Sequence, residues 1–421
     1  MTMMQNRGIN ITYYKVWKGK ELAFNKLRGD PDESFHMLPS YLNMVKQVNP
    51  GSITHLVVDD SNRFRYMFLA YGASQDGEFH QFPIAWGVVD YETVESWTWF
   101  MLRLQEMVPD DEELVIISDR HQGIISAVAN VYKQAHHGYC VWHLSQNIKT
   151  KSKQKGATEL FMHIAYAYKQ SEFDSLYSDM RNRYPQVAKY LEEHTSPDKW
   201  SRSHYPRTRY NIMTTNGVES INSRLRAERD LPIVSLLDAL QKLTSCWFSR
   251  YRNAAAASTT IATPAVASIL RERFNASQKN HVCELNSLQY HVYTQDDHET
   301  VDFANNSCSC RVYDFDRIPC SHVIAASYAT KLSIYDLCSE YYTTRTRMVA
   351  YSCTIYLVPQ CSEWTMTTGP LERKLLPPNV KRKRGRRKVN RNPSIEKRKW
   401  VLLLEIAKER TWCRENNDNM G

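Results

Sequence analysis

Hydrophobic side chains recur along residues 51–140 in an order that predicts an α/β domain. Short apolar runs are typical of strands, whereas a 3.6-residue spacing of apolar positions is typical of helices. Three strands come first, followed by a helix, a buried strand that ends in an acid, and a second helix. These elements are predicted, in order, at Ile53–Asp59, Phe64–Tyr71, Phe82–Asp90, Ser96–Val108, Leu114–Ile117 and Gln122–Tyr132. An RNase H-like core has this order of elements.

The pattern becomes almost wholly helical from Val141 to about Ser277, with breaks at prolines. The many aromatic residues of this region are predicted to form core rather than a surface that stacks on bases. Helical spacing is also predicted for residues 1–50 and, as a short apolar helix, for Trp400–Ala407. The fold class is therefore α/β plus α. Its predicted parts are a helical N-terminal segment (1–50), an RNase H-like core (51–140), a helical insertion with a return helix (141–280), a small metal module (286–340), and a linker with a basic, disordered tail (359–421).

The metal module is predicted from two pairs of ligand-type residues separated by nine residues. Cys308 and Cys310 form one pair, and Cys320 and His322 form the other. Three thiolates and one imidazole are a closed tetrahedral ligand set of the kind that structural zinc prefers. The alternative is that these are ordinary reduced cysteines in a small core. Two short strands before the pairs and a helix starting near His322 favour zinc, since the helix would orient the imidazole.

Charge is concentrated in the tail. Eleven Lys and Arg residues and a single Glu lie from Lys381 to Lys399, so this segment has a net charge of +10. The whole chain has a net charge of +9, so the rest of it carries about −1 and is close to neutral. Such a run contacts phosphate groups of DNA or serves as a nuclear-import signal. The nucleic-acid contacts predicted within it are Lys381, Arg382, Lys383, Arg384, Arg386, Arg387 and Lys388.

The compartment is predicted from the cysteines and from the N-terminus. The ten cysteines form no disulfide framework, which favours a reducing compartment, the cytosol or the nucleus. The N-terminus has no signal pattern, and no apolar run approaches a membrane span. We therefore expect a nuclear protein with no membrane partner.

Several motifs, in a fixed order, resemble those of a plant-type Mutator-like (MULE) transposase with a SWIM zinc finger. The Cys308–His322 set matches the finger's CxC and CxH pairs at all four ligand positions. The other matching stretches are Gln75–Asp90, Ser96–Phe100, Ile117–His121, His137–His143, Tyr210–Asn222 and Tyr335–Tyr342. They fall between Asn49 and about Pro359, which is roughly three-quarters of the chain.

The resemblance implies DDE transposition, in which acids on an RNase H-like core hold two divalent metals, normally Mg²⁺. It assigns the second acid to Asp119 and the third to Glu219. Taken without the resemblance, Asp119 is a helix cap and Glu219 is a solvated helix acid. Cys140 and His143 share a helix face at this spacing, so they form either a two-ligand metal site or, as we favour, packing and hydrogen bonding beside the active site.

The chain departs from the family where the first acid is expected. Tyr71–Ser74 runs directly into Gln75, and the intervening segment with the first acid and its strand is missing. Two carboxylates cannot organise two Mg²⁺ ions as three do, so we expect catalysis to be lost or severely weakened. A repacking that brings Asp59 or Asp60 into the first acid's place is the alternative. The terminal zinc knuckle of some relatives is also missing.

Three functions follow from these observations. The first is a transposase-derived, zinc-binding nuclear protein that contacts DNA through its tail and is catalytically impaired. The second is an active DDE transposase that uses Mg²⁺. The third is a protein–protein interaction module that uses the SWIM finger.

Overall fold

The computed structural model describes residues 30–74, 83–152, 154, 156–208, 210, 212–294, 297–364, 374–379 and 405–407. Within these ranges the chain forms 13 α-helices and ten strands in three small sheets, which is a mixed α/β fold. The helix predicted before residue 29 and the basic residues after residue 380 lie outside the described part of the chain. No helix in the described part is long and apolar enough to cross a lipid bilayer.

Helix α1 (Pro31–Val48) opens the described chain and has a well-defined start. The Asp30 carboxylate accepts a hydrogen bond from the Asp32 amide at 2.8 Å, and Pro31 occupies the first helical position, where it costs no backbone bond. Pro39 lies inside the helix without ending it. The apolar face, including Leu38 and Val45, is fully buried.

Three antiparallel strands follow, as the hydrophobic pattern predicts. They are β1 (Ile53–Val58), β2 (Phe64–Ala70) and β3 (Trp86–Val89), and β2 is the central strand. Almost every residue of β2 is buried because helices cover both faces of this sheet.

The second part of the α/β region contains α2 (Val94–Gln105), β4 (Val115–Ser118), α3 (Gln122–Val131) and β5 (His136–Tyr139). A capping box between Thr93 and Ser96 starts α2. Strands β4 and β5 are parallel, with Ser118 opposite Tyr139. One core joins both sheets, since Phe68 of β2 and Ile116 of β4 pack in the same cluster as Phe100 of α2.

The other edge of β4 is occupied by β10 (Glu405–Ala407), which runs antiparallel to it. The helix predicted for Trp400–Ala407 is therefore wrong over these three residues. A strand edge exposes unpaired backbone groups, and pairing satisfies them better than a short isolated helix would. Strand β1 pairs with β2 in one sheet, whereas β4 pairs with β5 and β10 in another. A single continuous sheet of the RNase H-like kind therefore stays a prediction.

The helical region contains seven helices whose aromatic residues form core, as predicted. Phe161, Phe173 and Trp200 are buried against one another. The helices are α4 (Val141–Lys151), α5 (Ala157–Tyr166), α6 (Gln170–Arg183), α7 (Pro185–His194), α8 (Asn216–Arg224), α9 (Ile233–Ala256) and α10 (Pro264–Ser277). The longest of them, α9, packs on α1.

The C-terminal module is a four-stranded antiparallel sheet with two helices. The strands are β6 (His281–Glu284), β7 (Gln289–Tyr293), β8 (His298–Asp302) and β9 (Ser307–Cys308). The helices α11 (Val312–Asp316) and α12 (Ser321–Thr330) follow, and α13 (Thr344–Ala350) returns the chain to α9. Strand β6 and helix α11 are not predicted by the sequence pattern, whereas β7, β8 and the helix at His322 are.

Candidate metal centres

The Cys₃His set comes together at one end of the C-terminal module. Cys308 ends β9, Cys310 follows in the turn, Cys320 is the residue before α12, and His322 lies in the first turn of that helix. The four ligand atoms all lie within 4.8 Å of one another, and the three thiols are buried. Arg311 supports the turn by adopting a left-handed backbone conformation (φ 66°).

The geometry of this cluster fits a tetrahedral zinc ion. The Nδ1 atom of His322 lies 3.8 Å from the Sγ atoms of both Cys308 and Cys320. Ligands at the usual Zn–S and Zn–N distances stand about 3.6 Å apart at tetrahedral angles. Hydrogen bonds from the neighbouring thiols lower the pKa of Cys310, while the same bonds raise the pKa of Cys308. Thiol ligands bind a metal as thiolates, so occupation of this site by zinc would displace their protons.

The spacer between the two ligand pairs is one of the parts of the module that dock on the helical region, together with α12 and β8. Its Asp316 is buried and forms an ion pair with Arg273 of α10. The Tyr168 hydroxyl also donates to both carboxylate oxygens of Asp316, at 3.1 Å each. Arg273 makes further bonds to the carbonyls of Ile318 (2.7 Å) and Pro319 (3.3 Å). A buried charge is tolerated only when it is paired in this way.

A second group of polar residues lies where the parallel strands β4 and β5 end. Asp119 follows β4 and Cys140 follows β5 at the same level, because the Cys140 amide bonds to the Ser118 carbonyl at 2.8 Å. One oxygen of Asp119 accepts the His121 amide at 3.0 Å. His121 itself is the N-cap residue of α3 and that cap has no side-chain hydrogen bond, so the alternative of Asp119 as a helix cap is not realised. The carboxyl ends of parallel strands form a crevice in which ligands commonly bind.

Cys140 connects this crevice to the helix that carries Glu219. Its buried Sγ atom accepts hydrogen bonds from the amide and the hydroxyl of Thr215, both at 3.3 Å, and Thr215 is the residue before α8. Burial alone would raise the pKa of the Cys140 thiol, but the nearby His143 and the hydrogen bonds from Thr215 lower it. Cys140 therefore connects the end of β5, to which it belongs, with the end of β4 through Ser118 and with the start of α8 through Thr215.

The imidazole of His143 faces Glu219, with Nε2 3.7 Å from Oε1. The pKa of His143 is raised chiefly by the neighbouring Cys140 thiol, against the effect of burial, and then by the negative charges of Asp119 and Glu219. Cys140, Asp119 and Glu219 thus all lie within electrostatic reach of His143. The favoured hypothesis of hydrogen bonding beside the two acids agrees with these contacts.

The structure does not bring the two substitute acids into this group. The Asp59 carboxylate accepts the amides of Ser61 and Arg63, both at 2.9 Å, and closes the turn between β1 and β2. Asp59 and Asp60 follow a strand of one sheet, whereas Asp119 follows a strand of another. The predicted nucleic-acid contacts from Lys381 to Lys388 lie outside the described residues.

Comparison with known families is decisive for two segments of the chain. The family model of the MULE transposase domain matches residues 59–147, which include Asp119, Cys140 and His143. The SWIM zinc finger model matches residues 290–331, which include all four zinc-type ligands. The chain carries a MULE transposase domain and a SWIM zinc finger. The four residues predicted as zinc ligands lie within the SWIM match, and the acid predicted at the end of β4 lies within the MULE match.

Two curated relatives of this MULE and SWIM protein are bacterial transposases. The transposase for insertion sequence element IS1201 of Lactobacillus helveticus is 24% identical over 184 residues, or 41% of this chain and 49% of the relative. The transposase for insertion sequence element ISRM5 of Rhizobium meliloti (strain 1021) is 23% identical over 168 residues, or 38% of this chain and 41% of the relative. The chain thus spans about half the length of these relatives or less. It is a transposase-related protein, and its plant-type character stays a prediction.

Sequence reasoning missed the residues that attach the SWIM finger to the rest of the chain. Asp316 and Arg273 are far apart in sequence, and nothing in their local pattern indicates that they pair. The only signal was weak: Asp316 lies directly after Phe315 in a spacer that holds four charged residues, and an acid needs a partner when it is buried. Thr215 was also missed as a partner of Cys140, although it lies in a stretch that carries the family resemblance.

Proposed function

We propose that this chain is a transposase-derived, zinc-binding nuclear protein that contacts DNA and is catalytically impaired. Its MULE domain would be a truncated RNase H-like core with an inserted helical domain. The SWIM finger would hold one structural Zn²⁺ through Cys308, Cys310, Cys320 and His322. A structural ion stabilises the fold, because four protein ligands leave no position for water or substrate.

The observation that carries the proposal is the acid count of the candidate catalytic site. Glu219 contacts His143 and Asp119 lies within electrostatic reach of it, whereas Asp59 follows a strand of a different sheet and closes the β1–β2 turn. In the sequence, Ser74 is followed at once by Gln75, without the segment in which the family places its first acid. Two carboxylates are too few to hold the pair of Mg²⁺ ions that phosphoryl transfer by this mechanism needs.

The catalytic part of the proposal is tested by a strand-cleavage and strand-transfer assay with Mg²⁺. We expect no product above background from the full chain, and no change on Asp119→Ala. Product that depends on Mg²⁺ and disappears in Asp119→Ala would overturn the proposal. That result would favour the alternative of an active DDE transposase, with Asp59 or Asp60 supplying the first acid.

The DNA-binding part rests on the charge distribution. Because the chain outside Lys381–Lys399 is close to neutral, affinity for duplex DNA should come mainly from that run. We expect deletion of residues 381–399 to weaken binding strongly and to flatten its dependence on salt. A control that replaces the run with a Gly/Ser segment of equal length separates charge from chain length. Unchanged affinity in either variant would contradict the proposal.

One surface favours a second function, in which the SWIM finger binds a protein partner. The outward face of its sheet exposes Tyr293 and His298, whose rings stack at 5.8 Å, and His291 lies against both. Exposed aromatic rings are enriched where proteins bind one another. Capture of a partner by the wild-type chain, but not by Tyr293→Ser, would favour this function over DNA binding.

A further inference from the structure

Two Ser or Thr residues of the chain directly precede a proline, and the structure places them in different environments. They are Ser196, before Pro197, and Thr263, before Pro264. Ser196 is exposed in the link that follows α7. Thr263 is only 7% exposed, and its amide donates to the Tyr342 carbonyl at 2.9 Å. Of the two residues, therefore, Ser196 is the one that another protein can reach.

The backbone at Ser196 is already extended. The φ and ψ angles are −159° and 162° at Thr195, and −113° and 145° at Ser196. Both residues lie between the end of α7 and a single 3₁₀ turn, Pro197–Lys199. The proline favours this geometry, because a residue before proline is biased away from the helical region. Protein kinases bind the acceptor residue and its neighbours as an extended segment, so Ser196 needs little rearrangement to enter such a cleft.

The residues after Ser196 restrict the class of kinase. Pro197 has no amide N–H, so a cleft that offers no acceptor at that position admits proline and penalises every other residue. Lys199 stands three residues after Ser196 and supplies a cation for an acidic subsite. Val266 occupies the equivalent place after Thr263. Serine followed by proline, with a cation two residues further on, is the pattern that proline-directed Ser/Thr kinases select.

A phosphate on Ser196 would enter an existing network of charges. The Ser196 hydroxyl donates to the Asp198 carboxylate, and Lys199 pairs with the same carboxylate at 3.5 Å. Nε2 of His136, the first residue of β5, donates to the Asp198 carbonyl at 3.0 Å. Phosphorylation replaces a hydrogen-bond donor with a group of charge about −2, which repels the carboxylate and attracts the ammonium group. The contact between Asp198 and β5 is therefore the one that a phosphate disturbs.

We propose that Ser196 is the phosphorylation site of a proline-directed Ser/Thr kinase, and that the phosphate loosens the 3₁₀ turn Pro197–Lys199 from β5. The inference goes beyond the proposed function and shares with it only the nuclear location. In the reaction, Oγ of Ser196 bonds to the γ-phosphorus of ATP while the bond from that phosphorus to the β–γ bridging oxygen breaks. ADP leaves, and the hydroxyl proton passes to the catalytic aspartate of the kinase.

The test treats the full chain, with zinc in its SWIM finger, with a cyclin-dependent kinase and Mg-ATP. We expect one phosphoryl group per chain, located at Ser196 by mass spectrometry. It should be absent from Ser196→Ala and present in Ser196→Thr, which keeps a hydroxyl. Pro197→Ala should lower kcat/KM about tenfold or more, because it introduces an amide N–H that the kinase cleft leaves unpaired. Lys199→Gln should lower it by about two- to fivefold, as loss of an exposed ion pair does. Thr263→Ala is the matched control and should leave the incorporation unchanged.

Hydrogen–deuterium exchange then compares the phosphorylated chain with the unmodified one. The amides of Lys199 and Trp200 donate to the carbonyls of Ser196 and Pro197 at 3.0 and 3.2 Å, so their exchange reports on the 3₁₀ turn. We expect several-fold faster exchange of these two amides after phosphorylation, because the repelled Asp198 lies inside the turn. The amides of α10 serve as the internal reference and should exchange at the same rate in both forms.

Absence of phosphate from Ser196 in the folded wild-type chain would overturn the inference, and so would equal kcat/KM for wild type and Pro197→Ala. Equal exchange of the turn amides in the two forms would overturn the proposed loosening. Zinc content and the unfolding temperature are measured for every variant, so a misfolded chain is recognised. None of these measurements involves DNA or strand cleavage, so failure of this inference and failure of the proposed function are told apart.

Discussion

Replacement of Arg273 by Leu tests whether the buried ion pair attaches the SWIM finger to the helical region. The Asp316 side chain is only 4% exposed, and Arg273 is its one cationic partner among the contacts seen in the described residues. Removing one member of a buried pair leaves an uncompensated charge and costs roughly 3–5 kcal/mol. Tyr168 still donates to Asp316, so we expect a loss near the lower end of that range.

The assay combines urea unfolding with zinc release to a chromophoric chelator. The urea midpoint should fall and zinc should leave faster, because the docked spacer lies between the two ligand pairs. Arg271→Leu is the control, since Arg271 is exposed on the same helix. Replacing both Arg273 and Asp316 by Leu should recover most of the loss, as paired replacement of a buried ion pair often does. A difference of less than about 0.5 kcal/mol between Arg273→Leu and Arg271→Leu would refute the reasoning, because exposed substitutions alone cause changes of that size.

Four other outcomes are expected. Elemental analysis should find one zinc per chain and none in Cys320→Ser, and zinc affinity should fall as the pH is lowered, because the ligands must lose protons to bind. Burial lowers the pKa of the His137 imidazole to about 4, so as the pH falls this residue takes up a proton in the unfolded chain before it does so in the folded chain. The free energy of unfolding should therefore fall by about 3 kcal/mol from pH 6.5 to pH 4, and by less in His137→Gln. Thermal unfolding of Thr93→Ala should show a free energy of unfolding about 1 kcal/mol lower than that of the wild-type chain, because the helix cap is lost. In Ile116→Ala, a fully buried position, the loss should be about 2–5 kcal/mol, whereas Leu102→Ala on the exposed side of α2 should lose far less.

The local elements of the α/β region were predictable because their signals are local. Strands β1 to β4 and helices α2 and α3 lie where alternation and helical spacing place them. The Cys308–His322 cluster was predictable for the same reason, since its spacing lies within a single short stretch. In each case neighbouring residues carry the information, and tertiary packing reinforces it.

Contacts between distant segments could not be read in this way. The pairing of β10 with β4 joins residues almost 300 positions apart, and it depends on which strand is available to cover an open edge. The approach of His143 to Glu219 depends on Thr215 bonding to Cys140, which is a property of the assembled fold. Spacing placed Cys140 and His143 on one helix face, but only the fold shows that the thiol bonds to Thr215 while the imidazole also faces Glu219.

The docked spacer has a consequence for how the SWIM finger can be isolated. The family match at residues 290–331 excludes β6, which completes the sheet, and it also excludes Arg273, which neutralises Asp316. In a fragment cut at those limits, the Asp316 carboxylate would have lost its Arg273 partner. Ile318 and Ile324 would also lose the α10 side chains that cover them. The smallest unit that should fold with its zinc therefore begins at Pro264 and continues through Tyr342, whose hydroxyl bonds to the Asp316 carbonyl at 2.9 Å. In this chain, the limits of the sequence family and the limits of the cooperative unit are different.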